Sequence, residues 1–200
     1  KTNSGALLLV VTSGMASDPE VSKNLAAAFS YVGGSFPGTA GDCGATLAAL
    51  ASCNIEVIYS PTAAVTDTDT IDINYNDGTG SVNTTRDVSG TGALPANLSI
   101  TETDPYDFGS VTVGASQTHI FTITNGGGVA ATTIAEVGLA APFDFAGGGG
   151  FPGAGGTCTA TLGSGASCDV VVTYSPIASG PQSDQIELNF NNGAIVTNTT

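Results

Sequence analysis

A nineteen-residue stretch with two cysteines occurs twice in this chain and constrains its fold more than any other feature. It reads C-G-A-T-L-A-A-L-A-S-C-N-I-E-V-I-Y-S-P at Cys43–Pro61 and C-T-A-T-L-G-S-G-A-S-C-D-V-V-V-T-Y-S-P at Cys158–Pro176. The copies align without a gap from Phe36–Thr85 to Phe151–Thr200, and 24 of these 50 positions are identical. The 115-residue offset in a chain of 200 residues predicts two domains of ordinary size built on one repeat.

The second half of each copy has the pattern of a half-buried β-strand. Apolar side chains recur at every second position and therefore share one face of an extended chain. Proline then ends each strand, because it has no N–H to donate to a ladder. The segments Cys43–Leu47 and Cys158–Leu162 precede these strands across turns of small residues, which predicts two β-hairpins. The alternating residues are Cys53, Ile55, Val57 and Tyr59, and in the copy Cys168, Val170, Val172 and Tyr174.

The cysteine spacing within each hairpin predicts two local disulfides. Nine residues separate Cys43 from Cys53, and the same number separates Cys158 from Cys168. Residues directly opposite in a ladder have Cβ atoms about 4.5–5.5 Å apart, which a disulfide can bridge after slight adjustment. The alternative is two pairs of reduced, buried thiols. A zinc site needs closer cysteine or histidine spacing, which this chain lacks.

Composition and charge exclude several classes of partner. The net charge is −14, with three basic residues in all, so the clustered lysines and arginines that bind nucleic acid are missing. The same charge disfavours an anionic membrane surface, and no apolar run is long enough to insert into a bilayer. Four cysteines in two local pairs favour an oxidising compartment, which predicts an extracellular or cell-surface, secreted protein.

Chain order predicts an all-β fold of tandem β-sandwiches. We assign residues 1–92 to the first repeat, 93–97 to a linker and 98–200 to the second repeat. Aligning Thr2–Gly5 with Thr124–Gly127 leaves the first copy without its N-terminal strands, and the last strand of the second copy is incomplete. The segment is then either cut from a longer array or completed by strands from a neighbouring chain.

Few residues suggest site chemistry. Asp67, Asp69, Asp72 and Asp77 faintly resemble a calcium loop, although the second copy replaces two of these carboxylates by amides, Gln182 and Asn192. The interpretation of Asn76–Gly78 as a hairpin turn competes with calcium binding. No cofactor is predicted beyond this weak calcium hypothesis.

Three asparagines lie in glycosylation sequons: Asn83, Asn97 and Asn198. A chain rich in Thr and Asn produces such sequons by chance. The single histidine, His119, is interpreted as an edge or surface residue of a strand. Because nucleophilic catalysis needs a base beside the nucleophile, we predict no catalytic residues and no enzymatic activity.

The second copy carries a further set of motifs. These are L-S-I near its start, D-F-G-S-V-x-V-G, T-I-T-N-G-G, the C-x9-C segment with Y-S-P, and I-x-L-x-F, while the first copy adds V-S-G-T-G. Together they resemble the Hydin-like (ASH-type) immunoglobulin-like repeats of bacterial surface proteins known as choice-of-anchor D. The resemblance implies tandem immunoglobulin-like β-sandwiches of about seven strands each. It also implies repeat arrays in long extracellular chains and no catalytic residues.

Two hypotheses of function follow. The first is a structural repeat module of a long extracellular bacterial surface protein, such as a stalk, filament or fibrous adhesin. Its partners would be neighbouring repeats or identical chains, joined by strand addition. The alternative is a module that recognises a glycan or a protein on another cell through its loops, chiefly Gly147–Gly156 and residues 12–28.

Overall fold

The computed structural model describes residues 6–12, 20–21, 25–26 and 28–200, with side chains from residue 25 onward. This part of the chain is all-β, as predicted, with a single short 3-10 helix at Ala146–Gly148. Fourteen strands occur in it, numbered here in chain order: β1 Ala6–Thr12, β2 Glu20–Val21, β3 Phe29–Tyr31, β4 Ser52–Tyr59, β5 Thr66–Asn76, β6 Ser81–Thr91, β7 Leu98–Ile100, β8 Gln117–Asn125, β9 Ala131–Glu136, β10 Phe143–Phe145, β11 Thr161–Leu162, β12 Ser167–Tyr174, β13 Leu188–Asn191 and β14 Val196–Thr199.

The chain forms two compact units, one ending at Ala93 and one running from Leu94 to Thr200. Each unit contains two antiparallel sheets, as an immunoglobulin-like sandwich does. The first unit has strand orders β1-β4-β3 and β2-β5-β6. The second has β10-β12-β8-β7 and β11-β9-β13-β14.

The core of each unit lies between its two sheets. Alternate side chains of β4 and β12 point inward, as their sequence pattern predicts, and Ile55 and Val170 are fully buried. In the first unit Ile55 belongs to one buried cluster with Ile71 and Ile73 of β5. In the second unit Leu188 occupies the place of Ile73 and is likewise fully buried.

The predicted β-hairpin at each cysteine pair is wrong. Cys43–Leu47 lies in no strand, and in the second unit only Thr161 and Leu162 form one. This strand, β11, pairs with β9 in the sheet opposite to β12. Because β8 and β10 already flank β12, the segment crosses between the sheets, and Leu162 is buried in the core.

The predicted alignment of Thr2–Gly5 with Thr124–Gly127 is also wrong. In β1 Thr12 pairs with Ser52, whereas in β8 Thr124 pairs with the equivalent Ser167. The counterpart of Thr124 is therefore Thr12, ten residues further along. The first unit thus contains the counterpart of β8, and among its described residues no strand pairs with the other edge of β1.

Residues 94–97, just before β7, belong to the second unit. The Leu94 carbonyl accepts a hydrogen bond from the Gly128 amide (3.0 Å), and the Ala96 amide donates to the Asn192 carbonyl (2.9 Å). Ala96 is buried in the core of that unit. The segment 94–97 is therefore held by the connection between β8 and β9 and by the β13–β14 hairpin turn.

Candidate functional site

The two disulfides are present as predicted. Cys43 is bonded to Cys53 with their Cα atoms 4.9 Å apart, and Cys158 is bonded to Cys168 at 4.8 Å. All four cysteines are buried in the two cores. In the second unit the bond therefore ties the segment that crosses between the sheets to the central strand β12. In the first unit it ties the segment before β4 to β4 itself. Two disulfides indicate an oxidising, extracellular environment.

Hydrogen bonds around the first cysteine of each pair are repeated as well. The Cys43 amide donates to the Asn54 carbonyl, and the Cys158 amide donates to the Asp169 carbonyl. In return the Asn54 backbone amide donates to Asp42 Oδ1 (2.5 Å). In the second unit the equivalent Asp169 amide donates to Thr157 Oγ1 (2.9 Å). Different side chains therefore satisfy the same backbone amide in both copies.

A second repeated contact joins β5, or its counterpart, to the opposite sheet. Asp69 Oδ2 accepts a hydrogen bond from the Ala26 amide, and Asp184 Oδ2 accepts one from the Ala140 amide, both at 2.5 Å. Ala26 and Ala140 precede β3 and β10 by three residues each. We call this contact the aspartate clamp; it holds the chain as it leaves one sheet for the other.

The side chain of Asp77 stabilises the turn after β5 through hydrogen bonds within that turn. Its Oδ1 accepts hydrogen bonds from the hydroxyl and the amide of Thr79 and from the Gly80 amide, at 2.7–2.9 Å. These bonds, the hydroxyl's above all, hold the pKa of the Asp77 carboxyl below its usual value. Asn192 accepts two amide hydrogen bonds in the equivalent turn, so the carboxylate charge is not needed there.

The structure does not bring the four calcium candidates together. Asp67 and Asp69 share the inner face of β5, where Asp67 accepts a hydrogen bond from the Tyr59 hydroxyl (2.9 Å). Asp72 lies on the other face, and Asp77 follows the strand at roughly 30 Å from Asp67 in an extended chain. Among the described residues, no group of three or more His, Cys, Asp or Glu side chains is arranged to hold a metal ion.

The three sequon asparagines are exposed. The side-chain amide of Asn83 donates to Asp72 Oδ1 (3.3 Å), and that of Asn198 donates to Glu187 Oε1 (3.0 Å). One pair of surface side chains is therefore repeated in both units. Asn97 lies beside β7, where its backbone amide donates to the Asn125 side chain. Glycosylation of these residues stays a prediction.

Asn125 is the residue that sequence reasoning missed. It is completely buried, and its side chain makes five hydrogen bonds. The oxygen accepts from the amides of Asn97 and Gly127, at 3.1 and 3.0 Å. The side-chain nitrogen donates to three carbonyls, at 2.9–3.2 Å: Val129, Leu162 and Gly163. One side chain thus joins the start of β7, the end of β8 and the end of β11, and the T-N-G-G motif was its signal in the sequence.

His119 was predicted to be an edge or surface residue; it lies beyond the part of β8 that pairs with β7, but its side chain is not on the surface. It lies half-buried on the same face of β8 as Phe121, and its ring stacks on Tyr106 with centroids 3.8 Å apart. Its Nε2 atom is buried without a hydrogen-bond partner. Phe108 contacts the same group and also Tyr174, so the long segment between β7 and β8 is anchored by aromatic packing.

The glycine-rich loop Gly147–Gly156 is attached to β12 rather than free. The Pro152 carbonyl accepts a hydrogen bond from the Val171 amide (2.8 Å), and the Ala154 amide donates to the Ala146 carbonyl (2.6 Å). At Gly153 an added Cβ would lie 2.3 Å from the Val171 carbonyl oxygen, so the close approach needs glycine. In the other predicted binding loop, residues 13–19, 22–24 and 27 lie outside the described residues.

Comparison with known proteins adds little to this picture. No protein-family model and no curated protein matches the chain. A crystal structure of a protein of unknown function from Porphyromonas gingivalis W83 aligns with 98% of this chain and 89% of its own. The identity is 16% and the TM-score 0.35, a level at which the likeness carries no argument. No helix in the described part of the chain is long and apolar enough to cross a membrane.

Proposed function

We propose that this protein is a structural repeat module of a long extracellular surface protein, such as a stalk, filament or fibrous adhesin. The observation that carries the proposal is what the two units have in common. The disulfide, the aspartate clamp and the turn at Asp77 or Asn192 all hold the sandwich together.

The disulfide suits a module that carries tension. When a sandwich is pulled from its ends, the segment between the two cysteines is not released. Ten Cα–Cα steps would otherwise extend to roughly 35 Å, whereas the bonded cysteines are 4.9 Å apart in the first unit. An intact disulfide therefore shortens the extended length that each unit releases on unfolding by about 30 Å.

Single-molecule stretching of the whole chain tests this mechanical role. We expect the contour length released by each unit to increase by about 30 Å when dithiothreitol is added. The force at which oxidised units unfold should also be higher. Equal release in oxidised and reduced protein would contradict the mechanical argument.

The place of the module in a larger assembly needs a second experiment. Antibodies raised against the chain, carried by gold particles, should label native filaments or stalks at regular intervals in negative-stain images. The surface charge fits this setting, because a net charge of −14 keeps long chains soluble and separate. Specific binding of the chain to a glycan array, without labelling of extended structures, would favour the recognition module instead.

A further inference from the structure

The most exposed large apolar side chain among the described residues lies at a loop tip of the first unit. Leu50, two residues before β4, is 98% exposed, and its φ of 65° puts it in the left-handed region. Gly165, at the equivalent position of the second unit, has nearly the same φ of 68°. Glycine adopts this conformation without strain, whereas leucine does not. The first unit therefore keeps a strained, exposed leucine at a position where its own repeat uses glycine.

A second exposed apolar surface lies in the second unit, beyond the other end of the equivalent strand. Ile177, three residues after β12, is 80% exposed, and Val113 is 50% exposed. The Gly114 amide donates a hydrogen bond to the Pro176 carbonyl (3.0 Å), which places the segments of these two apolar residues side by side. The first unit has Thr62 at the position of Ile177. We call Val113 and Ile177 the apolar end of the second unit.

The repeat fold itself leaves both positions open to solvent. Gly163–Gly165 is exposed in the second unit, although the preceding segment 94–97 is present there. Thr62 is exposed in the first unit, although the glycine that follows β6 lies close to Pro61 and Ala63 on either side of it. The two units therefore differ in the residue that occupies each position, not in whether the chain covers it.

Both apolar surfaces lie in uncharged parts of a chain whose net charge is −14. No Asp, Glu, Lys or Arg occurs at residues 43–55, 108–118 or 170–183. Two copies of so acidic a chain repel each other over most of their surfaces. An uncharged apolar tip and an uncharged apolar end are therefore the places where two copies can meet with the least repulsion.

We propose that the loop tip Ala48–Leu50 of one chain binds the apolar end of the second unit in another copy of the chain. Leu50 is the inserted side chain, and Val113 and Ile177 cover it. Each chain carries the tip on one unit and the apolar end on the other, so the contact is heterologous and repeats head to tail, which builds rings or open filaments. This deepens the proposed function, on which it rests, by naming the surfaces through which identical chains would join.

The test is sedimentation equilibrium of the whole chain, with both disulfides intact, in about 0.5 M NaCl to screen the repulsion between copies. Contacts of this size are weak, so the parent chain should begin to associate at about 0.1–1 mM. Leu50→Gly and Ile177→Thr should each weaken association by about tenfold, because each removes a side chain that the contact buries. Both replacements are residues that the other repeat already uses, so folding should be unaffected.

The matched control is Val137→Thr. Val137 is 57% exposed and belongs to neither surface, so this variant should associate like the parent chain. Equal weakening by Val137→Thr would mean that association is a general effect of exposed apolar residues, and the proposal would be wrong.

Mixing the two variants distinguishes a head-to-tail contact from a symmetric one. The Leu50→Gly chain keeps its apolar end and the Ile177→Thr chain keeps its tip, so an equimolar mixture should form pairs that grow no further. A symmetric contact between two Leu50 tips would give no such pairs. The proposal is overturned if the mixture forms no pairs, or if the parent chain stays monomeric at about 1 mM. The stretching and labelling results do not depend on this contact, so the two proposals can fail separately.

Discussion

Replacing Asn125 by alanine should destabilise the second unit more than any other single polar substitution in its described residues. The side chain is completely buried and makes five hydrogen bonds with the backbone. Alanine would leave the amides of Asn97 and Gly127 without acceptors and take one donor from each of three carbonyls. An unsatisfied buried group costs about 1–3 kcal/mol.

The expected loss is about 4 kcal/mol. The two amides account for most of it, since a carbonyl oxygen tolerates the loss of one partner better than an amide does. For a domain with a total stability of about 5–15 kcal/mol this is a large fraction. The urea midpoint of the second unit should fall by about 2 M, and its melting temperature by about 15 °C.

Urea titration monitored by hydrogen exchange would measure this loss of unfolding free energy. Exchange is read out on individual proteolytic peptides, so the unfolding of each unit is followed separately. The first unit serves as the internal reference. Asn198→Ala is the matched control: Asn198 is exposed, and its side-chain amide donates a single hydrogen bond, to Glu187, so its loss should cost less than about 1 kcal/mol. If Asn125→Ala costs no more than this control, the reasoning about the buried hub is wrong.

Three further predictions concern contacts repeated in both units. Replacing Cys158 and Cys168 by serine should lower the free energy of unfolding of the second unit by about 2.8 kcal/mol, the chain-entropy value for an 11-residue loop, measured by urea titration. Asp69→Ala should cost the first unit about 1 kcal/mol and speed exchange of the amide that it holds. Asp77→Asn, which introduces the residue found at Asn192, should remove an acid-sensitive contribution to the free energy of unfolding. Because the pKa of the Asp77 carboxyl is lowered in the folded state, this contribution is complete above the unfolded pKa of 3.8. It is lost as the pH falls through the folded pKa.

Each of these has a clear contrary result. The cysteine argument fails if dithiothreitol destabilises the second unit of the serine variant as much as the second unit of the parent protein. The clamp argument fails if Asp184→Ala and Asp69→Ala affect the two units differently by several-fold. The turn argument fails if the difference in melting temperature between parent and Asp77→Asn is the same at pH 2 and pH 6.

The cysteines show how a correct prediction can rest on an incorrect local picture. Spacing and alternation predicted both disulfides, and both are present. The hairpin that was meant to bring Cys158 to Cys168 does not exist, because β11 joins the opposite sheet. The pairing survives because a short loop that crosses the core also returns its ends to within 5 Å.

The N-terminal alignment failed for a related reason. Thr-Asn-Gly-Gly in the second copy and Thr-Asn-Ser-Gly at the start of the first look alike, but short similarity without a burial pattern does not fix a strand register. The pairing of Thr12 with Ser52 decides the register. Strand register depends on which residues of neighbouring strands face each other and which side chains they bury. This information is spread over distant parts of the chain.

The sequence by itself determined the repeat, the all-β class, the central strands β4 and β12, and the disulfide partners. These features are local or periodic: alternation along one strand, a fixed offset between copies, and a short loop between cysteines. Only the tertiary structure decided that the cysteine segment of the second unit crosses between sheets and that Asn125 is a buried hub. It also decided that the four calcium candidates make separate contacts on β5 and in the turn after it. Those features arise where non-neighbouring segments meet, and the hydrogen bonds and burial that create them cannot be read from either segment alone.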